Sequence, residues 1–276
     1  MLKLSTNVSV PFLIYAVMCS CGYLVVNFNW KRNKKELEKK EAMELNKIYN
    51  EDCIEGMKKI PSASIDMVLT DPPYTSPTVH AFGRQKVNRL SDLAIQEFYF
   101  AEIKKEWERI LKPNAPVLIF CDDIYSAVLM GLFYEWQQKN LVIWDKGRIG
   151  MGNPFRKQHE LVFYANRGSI ELNKTNMSHI PTVIKETLTK EHHGAEKPVK
   201  LLMKLIDGLT KENATVLDCF IGSGSTAIAC LETKRNYIGF ELDKSYYETS
   251  QNRISSLCGG LFSNSFSTES SIETEW

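Results

Sequence analysis

The stretch "LDCFIGSGSTAIAC" (residues 217–230) joins an apolar run to a helix-like run through two closely spaced glycines. Glycine allows a tight turn with positive φ and lets a ligand approach the backbone closely. The helix predicted to start near Ser225 and Thr226 presents its first N–H groups to such a ligand. This pattern is typical of a strand–loop–helix unit in a nucleoside-binding α/β fold.

Two other interpretations compete for this loop: a plain strand–helix turn, and a dinucleotide-binding loop. Ala227 stands where the dinucleotide fingerprint has its third glycine, which disfavours the second interpretation. Asp218 precedes the loop, and Glu241 ends the next strand, in "FELD". In a doubly wound sheet an acid at the position of Glu241 reaches the hydroxyls of a bound ribose. An adenosine-bearing ligand is therefore expected.

The rest of the chain alternates strand-like and helix-like runs. Strands are predicted at residues 47–52, 65–71, 116–122, 141–144, 160–165, 215–220 and 236–242. Helices are predicted at 91–111, 124–139, 197–209, 225–232 and 244–254. Near-continuous apolar strands separated by helices favour a parallel sheet covered on both faces. The predicted fold is a doubly wound, mostly parallel, seven-stranded α/β sheet.

Composition places the chain among ordinary globular proteins. Of its 276 residues, 43% are hydrophobic and 24% are charged. Residues 1–42 carry a net charge of +4 and residues 257–276 carry −3, so with +1 overall the stretch 43–256 is neutral. Nucleic-acid binding would therefore depend on local basic clusters. The seven cysteines form no C-x-x-C pair, so no zinc or other metal site is predicted, and a reducing cytoplasm is the expected location.

The two ends differ from the body. Residues 8–28 carry no charge and are followed by a basic stretch. Residues 1–42 are therefore interpreted as a membrane anchor, as a non-functional extension translated from an upstream start before Met43, or as a buried extra element. Residues 43–256 form the predicted domain, with a small irregular insertion at about 145–195. Residues 257–276 are rich in Ser, Thr and Glu and are predicted to be disordered.

A second motif lies in "SIDMVLTDPPYTSP" (residues 64–77). Pro72 and Pro73 lack the backbone N–H and cannot extend a strand or a helix. The strand should therefore end at Asp71, which fixes its carboxylate at a rigid strand end. Tyr74 then offers an aromatic face close by.

Together the D-P-P-Y motif and the later F-x-G-x-G motif (residues 220–224) resemble the beta group of DNA adenine-N6 and cytosine-N4 methyltransferases, which is common in bacteria and phages. In that group D-P-P-Y precedes F-x-G-x-G, a circularly permuted order. The resemblance covers about residues 46–254, and Lys197 and Pro198 match the group's Lys-Pro pair. It implies a permuted Rossmann-like methyltransferase sheet that uses S-adenosyl-L-methionine.

The resemblance also assigns roles. Asp52 corresponds to the acid that binds the cofactor's adenine. The implied cofactor-binding residues are Asp52, Lys197, Asp218, Phe220, Gly222, Ser223, Gly224, Ser225, Thr226 and Glu241. The implied catalytic residues are Asp71, Pro72, Pro73 and Tyr74. Plain structural roles compete: a turn for Asp52, a helix cap or turn for Asp71, and a core aromatic for Tyr74.

The expected chemistry follows from the target. Asp71 and the carbonyl of Pro72 can each accept one hydrogen of an exocyclic amino group and orient its lone pair for direct in-line transfer of a methyl group. In a duplex the base must first be flipped out, and Tyr74 can stack on it. Asp at the head of the motif resembles the adenine-modifying members. Cytosine-N4 and RNA adenine methylation are the alternatives within this class.

Two basic clusters are candidate DNA contacts. Arg84, Lys86 and Arg89 follow the D-P-P-Y motif, and Lys146, Arg148, Arg156, Lys157 and Arg167 lie in a glycine-rich stretch with Trp144 and Phe155 interleaved. A solvated loop surface is the competing interpretation. A membrane-tethered, inactive nucleic-acid- or cofactor-binding protein is the alternative of another class. The resemblance implies that the insertion at about 145–195 contains the target-recognition element. The recognition sequence, the oligomeric state and any partner restriction enzyme stay open.

Overall fold

The structure, a computed structural model, describes residues 17–19, 22–24, 43–73, 89–150, 154–168, 180–187 and 196–264, with backbone alone for 89–98 and 258–264. The chain divides into two compact units, Met1–Glu41 and Ala42–Trp276. In the first unit, β1 (Val17–Cys19) and β2 (Gly22–Leu24) form an antiparallel pair. No helix in the described residues is long and apolar enough to cross a membrane. Most of 8–28 lies outside them, so the anchor hypothesis stays a prediction.

The second unit contains an eight-stranded sheet. Its strands are β3 (Lys47–Tyr49), β4 (Met67–Thr70), β5 (Val117–Cys121), β6 (Gln138–Asp145), β7 (His159–Asn166), β8 (Val183–Lys185), β9 (Thr215–Asp218) and β10 (Asn236–Phe240). Their order across the sheet is β3-β10-β9-β4-β5-β7-β6-β8. In this sheet β7 alone runs antiparallel to its neighbours. The mostly parallel α/β prediction is confirmed.

Helices cover both faces of the sheet. They are α1 (Cys53–Met57), α2 (Arg89–Ile110), α3 (Asp123–Leu132), α4 (Val199–Leu209), α5 (Ser225–Glu232) and α6 (Lys244–Asn264). Alternate residues of β5 show the division: Ile119 packs in the core with α1, α2 and α3, whereas Phe120 packs in the core with α4 and α5. Every residue of β4 and β9 is buried, as expected for strands covered on both sides.

The strand order carries the permutation. If β9 is counted as the first strand, β10 is the second, β3 the third, and β4 and β5 the fourth and fifth. The central order then becomes 3-2-1-4-5, the doubly wound arrangement, with its switch point between β9 and β4. In such sheets ligands bind beyond the carboxyl ends of the strands at this point. The two sequence motifs follow β9 and β4.

Several element predictions were wrong in detail. The helix predicted at 124–139 ends at Leu132, because residues from Gln138 onward pair with β7 along the full length of β6. The structure adds α1 and the short edge strand β8. The middle of the predicted insertion is β7, which lies inside the sheet between β5 and β6. Helix α6 continues to Asn264, within the stretch predicted to be disordered.

Candidate active site

A small cleft lies at the switch point, between the ends of β4 and β9. Its walls combine both motifs with the segment before α4. The predicted site residues that line it are Asp71, Lys197, Asp218, Phe220, Gly222, Ser223, Ser225 and Thr226. Thr70, Phe120 and Glu196 line it as well, although the sequence analysis did not select them. The two motifs therefore meet in space.

The glycine loop (residues 220–224) has the backbone that only glycine adopts readily. Gly222 and Gly224 have φ values of +52° and +86°. A Cβ at Gly224 would lie 3.0 Å from Cβ of Ser250. Gly224 is the N-cap of α5 and has no side chain that could cap the helix. Ser225 and Thr226, in the first turn of α5, line the cleft. This cradle fits an adenosine-bearing cofactor.

Glu241 lies directly after β10 and braces the glycine loop. One carboxylate oxygen accepts the N–H of Gly222 at 2.9 Å, and the other accepts the N–H of Asp243 at 2.8 Å. Burial raises the pKa of Glu241, and the two backbone hydrogen bonds oppose that rise. Glu241 is not among the residues that line the cleft, so its ribose-binding role stays a prediction.

Asp218 is the buried junction of three elements. Its carboxylate accepts hydrogen bonds from the hydroxyls of Thr70 (2.7 Å) and Thr226 (2.6 Å) and from the N–H of Phe220 (3.0 Å). Burial raises the pKa of Asp218 to about 6. It connects β4, β9 and α5 beneath the cleft.

Asp52 lies after β3 and caps α1. One oxygen accepts the N–H groups of Ile54 and Glu55, and the other accepts the hydroxyl of Tyr99 at 3.3 Å. Asp52 thus caps a helix, a structural role that the sequence did not predict. Asp52 does not line the cleft, so its cofactor role stays a prediction.

Asp71 follows β4, as the prolines predicted. Its Oδ2 accepts a hydrogen bond from Lys197 Nζ at 2.5 Å, and its Oδ1 is buried with no hydrogen-bond partner among the described residues. Burial raises the pKa of the Asp71 carboxyl, and the Lys197 ammonium opposes that rise. Pro72 is buried and Pro73 is exposed. Tyr74, Arg84 and Lys86 lie outside the described residues, and Arg89 starts α2 with its side chain not described.

Sequence reasoning missed two groups that hold the cleft together. Arg253 of α6 donates to the carbonyl and hydroxyl of Ser223 and forms an ion pair with Glu196. Glu196 also accepts the Ser225 hydroxyl at 3.1 Å, and its Oε2 is buried without a partner among the described residues. The position of Glu196 directly before the Lys-Pro pair was the available signal.

The basic stretch between β6 and β7 has a mixed role. Because β7 is antiparallel to β5, its start lies at the sheet edge that carries the cleft. Arg148, Arg156 and Lys157 are exposed there, and Phe155 is 87% exposed. Lys157 forms an ion pair with Asp123 at the surface, and Arg156 donates to the carbonyl of Gly150 at 2.9 Å. Lys146 forms an ion pair with Glu160 at 3.2 Å and is much less exposed than Lys157.

Two members of that stretch are structural instead. Trp144 is buried and donates its Nε1 hydrogen to the carbonyl of Glu186. Arg167 lies beyond the far end of β7 and donates to the carbonyls of Glu108 and Leu111 at the end of α2. The inclusion of Arg167 among the candidate DNA contacts was therefore wrong.

The site combines a doubly wound fold with a glycine cradle and an acid at the switch point. This combination is typical of transferases whose cofactor contains a nucleoside. A family model described as DNA methylase (N6_N4_Mtase) matches residues 65–252, and the chain belongs to that family. Among its relatives, the putative methylase YubD of Escherichia coli K12 is 30% identical over 75% of this chain and 88% of the relative. The type II methyltransferase M.HinfI of Haemophilus influenzae is 28% identical over 76% of this chain and 68% of the relative.

Solved structures agree with the fold. The M1.HpyAVI–SAM complex is 25% identical, with a TM-score of 0.56 over 75% of this chain and 98% of that chain. The PvuII DNA methyltransferase (cytosine-N4-specific) is 20% identical, with a TM-score of 0.62 over 74% and 84%. The predicted family and its cofactor, S-adenosylmethionine, are thereby confirmed. Among the described residues no group of His, Cys, Asp and Glu could hold a metal ion.

Proposed function

We propose that the chain methylates the N6 amino group of adenine in double-stranded DNA, acting on a base flipped out of the duplex. The observation that carries this proposal is Oδ1 of Asp71, a buried acceptor with no hydrogen-bond partner among the described residues, on a side chain that lines the same cleft as the glycine loop. A buried acceptor without a partner is costly, and an amino hydrogen of a bound base would satisfy it.

S-adenosylmethionine, when bound, supplies a methyl group already activated on a sulfonium. The glycine loop, Glu241, Ser223 and the first turn of α5 would hold it. Asp71 and the carbonyl of Pro72 would each accept one hydrogen of the target amino group. These two contacts favour a pyramidal nitrogen whose lone pair points at the methyl carbon. Tyr74 would stack on the flipped base.

DNA contact is proposed at the cleft edge of the sheet. Arg148, Arg156 and Lys157 are exposed there and suit phosphate oxygens, and Phe155 beside them can contact bases. Arg84, Lys86 and Arg89 belong to the same proposal from their sequence position alone. Lys146 contributes only indirectly, since its ammonium is held by Glu160.

A pair of variants separates catalysis from cofactor binding. Asp71→Ala should lower methyl transfer by at least about 100-fold while cofactor affinity, measured by calorimetry, stays close to that of the unmodified protein. Glu241→Ala should weaken cofactor binding, because the brace on Gly222 and the contact with the ribose are lost together. Equal methyl transfer by Asp71→Ala would remove Asp71 from the mechanism.

Cytosine-N4 methylation is the second candidate, because cytosine also carries an exocyclic amino group that the same two acceptors fit. The fold neighbour from the PvuII system is cytosine-N4-specific. The aspartate at position 71 favours adenine by its resemblance to adenine-modifying members. Analysis of the methylated nucleosides distinguishes N6-methyladenine from N4-methylcytosine. A parallel assay with RNA as the substrate tests the third alternative, methylation of adenine in RNA.

A further inference from the structure

Four side chains of alternating charge form a ladder that ends on Asp71. Lys146 Nζ lies 3.2 Å from Glu160 Oε1, and Lys197 Nζ lies 3.4 Å from Glu160 Oε2. Lys197 Nζ then reaches Asp71 Oδ2 at 2.5 Å. The ladder joins the end of β6, the start of β7, the segment before α4 and the end of β4. The ladder thus links four separate parts of the chain, and Lys197 is the member that contacts the Asp71 carboxylate.

Glu160 is more than a charge partner that the fold needs. A lysine–aspartate pair is already neutral, so Lys197 and Asp71 could balance each other without a second acid. Adding Glu160 together with its other partner, Lys146, places two further charges in a poorly hydrated site. Removing these charges from water costs free energy that apolar packing would avoid. An added buried ion pair of this kind often specifies geometry rather than stability.

The geometry that Glu160 specifies concerns the two oxygens of Asp71. The ammonium of Lys197 is a compact charge on a flexible stem, and alone it can bridge both oxygens of a carboxylate. Here it contacts Oδ2 only, while Glu160 Oε2 lies 3.4 Å from the same Nζ and the centroid of the Phe120 ring lies 5.1 Å from it. Oδ1 therefore keeps no partner among the described residues.

We propose that Glu160 is a positioning residue that holds Lys197 on one oxygen of Asp71, so that the other oxygen stays available to the target amino group. The proposal rests on the proposed function for the identity of that amino group. The arrangement of Glu160, Lys197 and Asp71 does not depend on which base is methylated.

The electrostatic consequences point in one direction. Burial alone would lower the pKa of Lys197, and the carboxylates of Asp71 and Glu160 together raise it. Glu160 in turn raises the pKa of Asp71. The other titratable groups around Asp71 are Asp218 and Glu196, which line the cleft, and the buried thiol of Cys121 on β5. Loss of the Glu160 charge should therefore lower the pKa of Asp71.

The test compares Glu160→Gln with Glu186→Gln. The control residue is also a partly buried acid, paired with Lys204 at 2.9 Å, and it does not line the cleft. In Glu160→Gln we expect kcat to fall between about 10- and 100-fold, because a displaced Lys197 covers both oxygens of Asp71. The acid limb of the kcat–pH profile should move to lower pH. Glu160→Asp should recover part of the rate.

A second readout does not require activity. The carboxyl carbon of Asp71, labelled with ¹³C and assigned with Asp71→Asn, is titrated by NMR in the cofactor-free protein. Its midpoint should move to lower pH in Glu160→Gln and stay in place in Glu186→Gln. An unmoved midpoint, or an equal loss of kcat in both variants, would overturn the proposal. Absence of any methylated product from the unmodified protein would instead contradict the proposed function.

Discussion

Asp218 carries a large electrostatic cost for a single side chain. Its carboxylate is almost fully buried, and its three hydrogen bonds only partly replace the water it has lost. The pKa of about 6 lies above its ordinary value of 3.8, so between these values the folded protein binds a proton more readily than the unfolded chain does. Protonation of Asp218 therefore stabilises the folded protein relative to the unfolded chain.

This sign gives a prediction for stability against pH. The contribution of protonated Asp218 is present at low pH and is lost as pH rises from about 4 through about 6. Asp218→Asn cannot titrate. The difference in free energy of unfolding between the two proteins, from urea titrations at pH 4 and pH 7, should change by about 2 kcal/mol in favour of the variant. A difference that is independent of pH would contradict this account of Asp218.

Among the elements, the loop from β9 to α5 has the strictest backbone requirement. Gly224→Ala forces a side chain into the left-handed region and against Ser250, at a cost of about 1–2 kcal/mol in stability. It should also weaken cofactor binding, because the loop shifts.

The matched control is Gly131→Ala, in α3, where an added Cβ meets nothing within 4 Å. This change should be neutral or stabilise by up to about 1 kcal/mol, since alanine favours helix. Thermal unfolding and cofactor titration of both variants check the pair. Equal effects of the two substitutions would show that the left-handed turn is not required.

The sequence predicted those elements whose local signals are strong. Two prolines fixed the end of β4, and two glycines identified the turn before α5. Helix α1 and strand β8 are too short to show periodicity. The ion pair between Glu160 and Lys197 could not be predicted, because their contact depends on β7 lying beside β5 and on the path of the chain into α4. An acid inside the apolar run "HELVFYA" was the one local signal.

At the scale of the whole molecule, the permuted strand order explains how motifs about 150 residues apart in sequence form one site. Within the unit Ala42–Trp276, the first described strand, β3, is third in the doubly wound order, and the last described helix, α6, follows the second strand of that order, β10. All described site residues belong to the unit Ala42–Trp276.

That unit should therefore function by itself. A variant that starts at Met43 is expected to keep the cofactor affinity and the methyl-transfer rate of the full chain. Calorimetry and a transfer assay on both proteins check this. A truncated protein that folds but no longer transfers methyl groups would assign a catalytic role to residues 1–42.

The most direct test of the account is to incubate the full chain with unmethylated genomic DNA and S-adenosylmethionine and to analyse the nucleosides by mass spectrometry. The account predicts N6-methyladenine with the unmodified protein and none with Asp71→Ala. N4-methylcytosine as the product, or equal amounts of N6-methyladenine from both proteins, would contradict it.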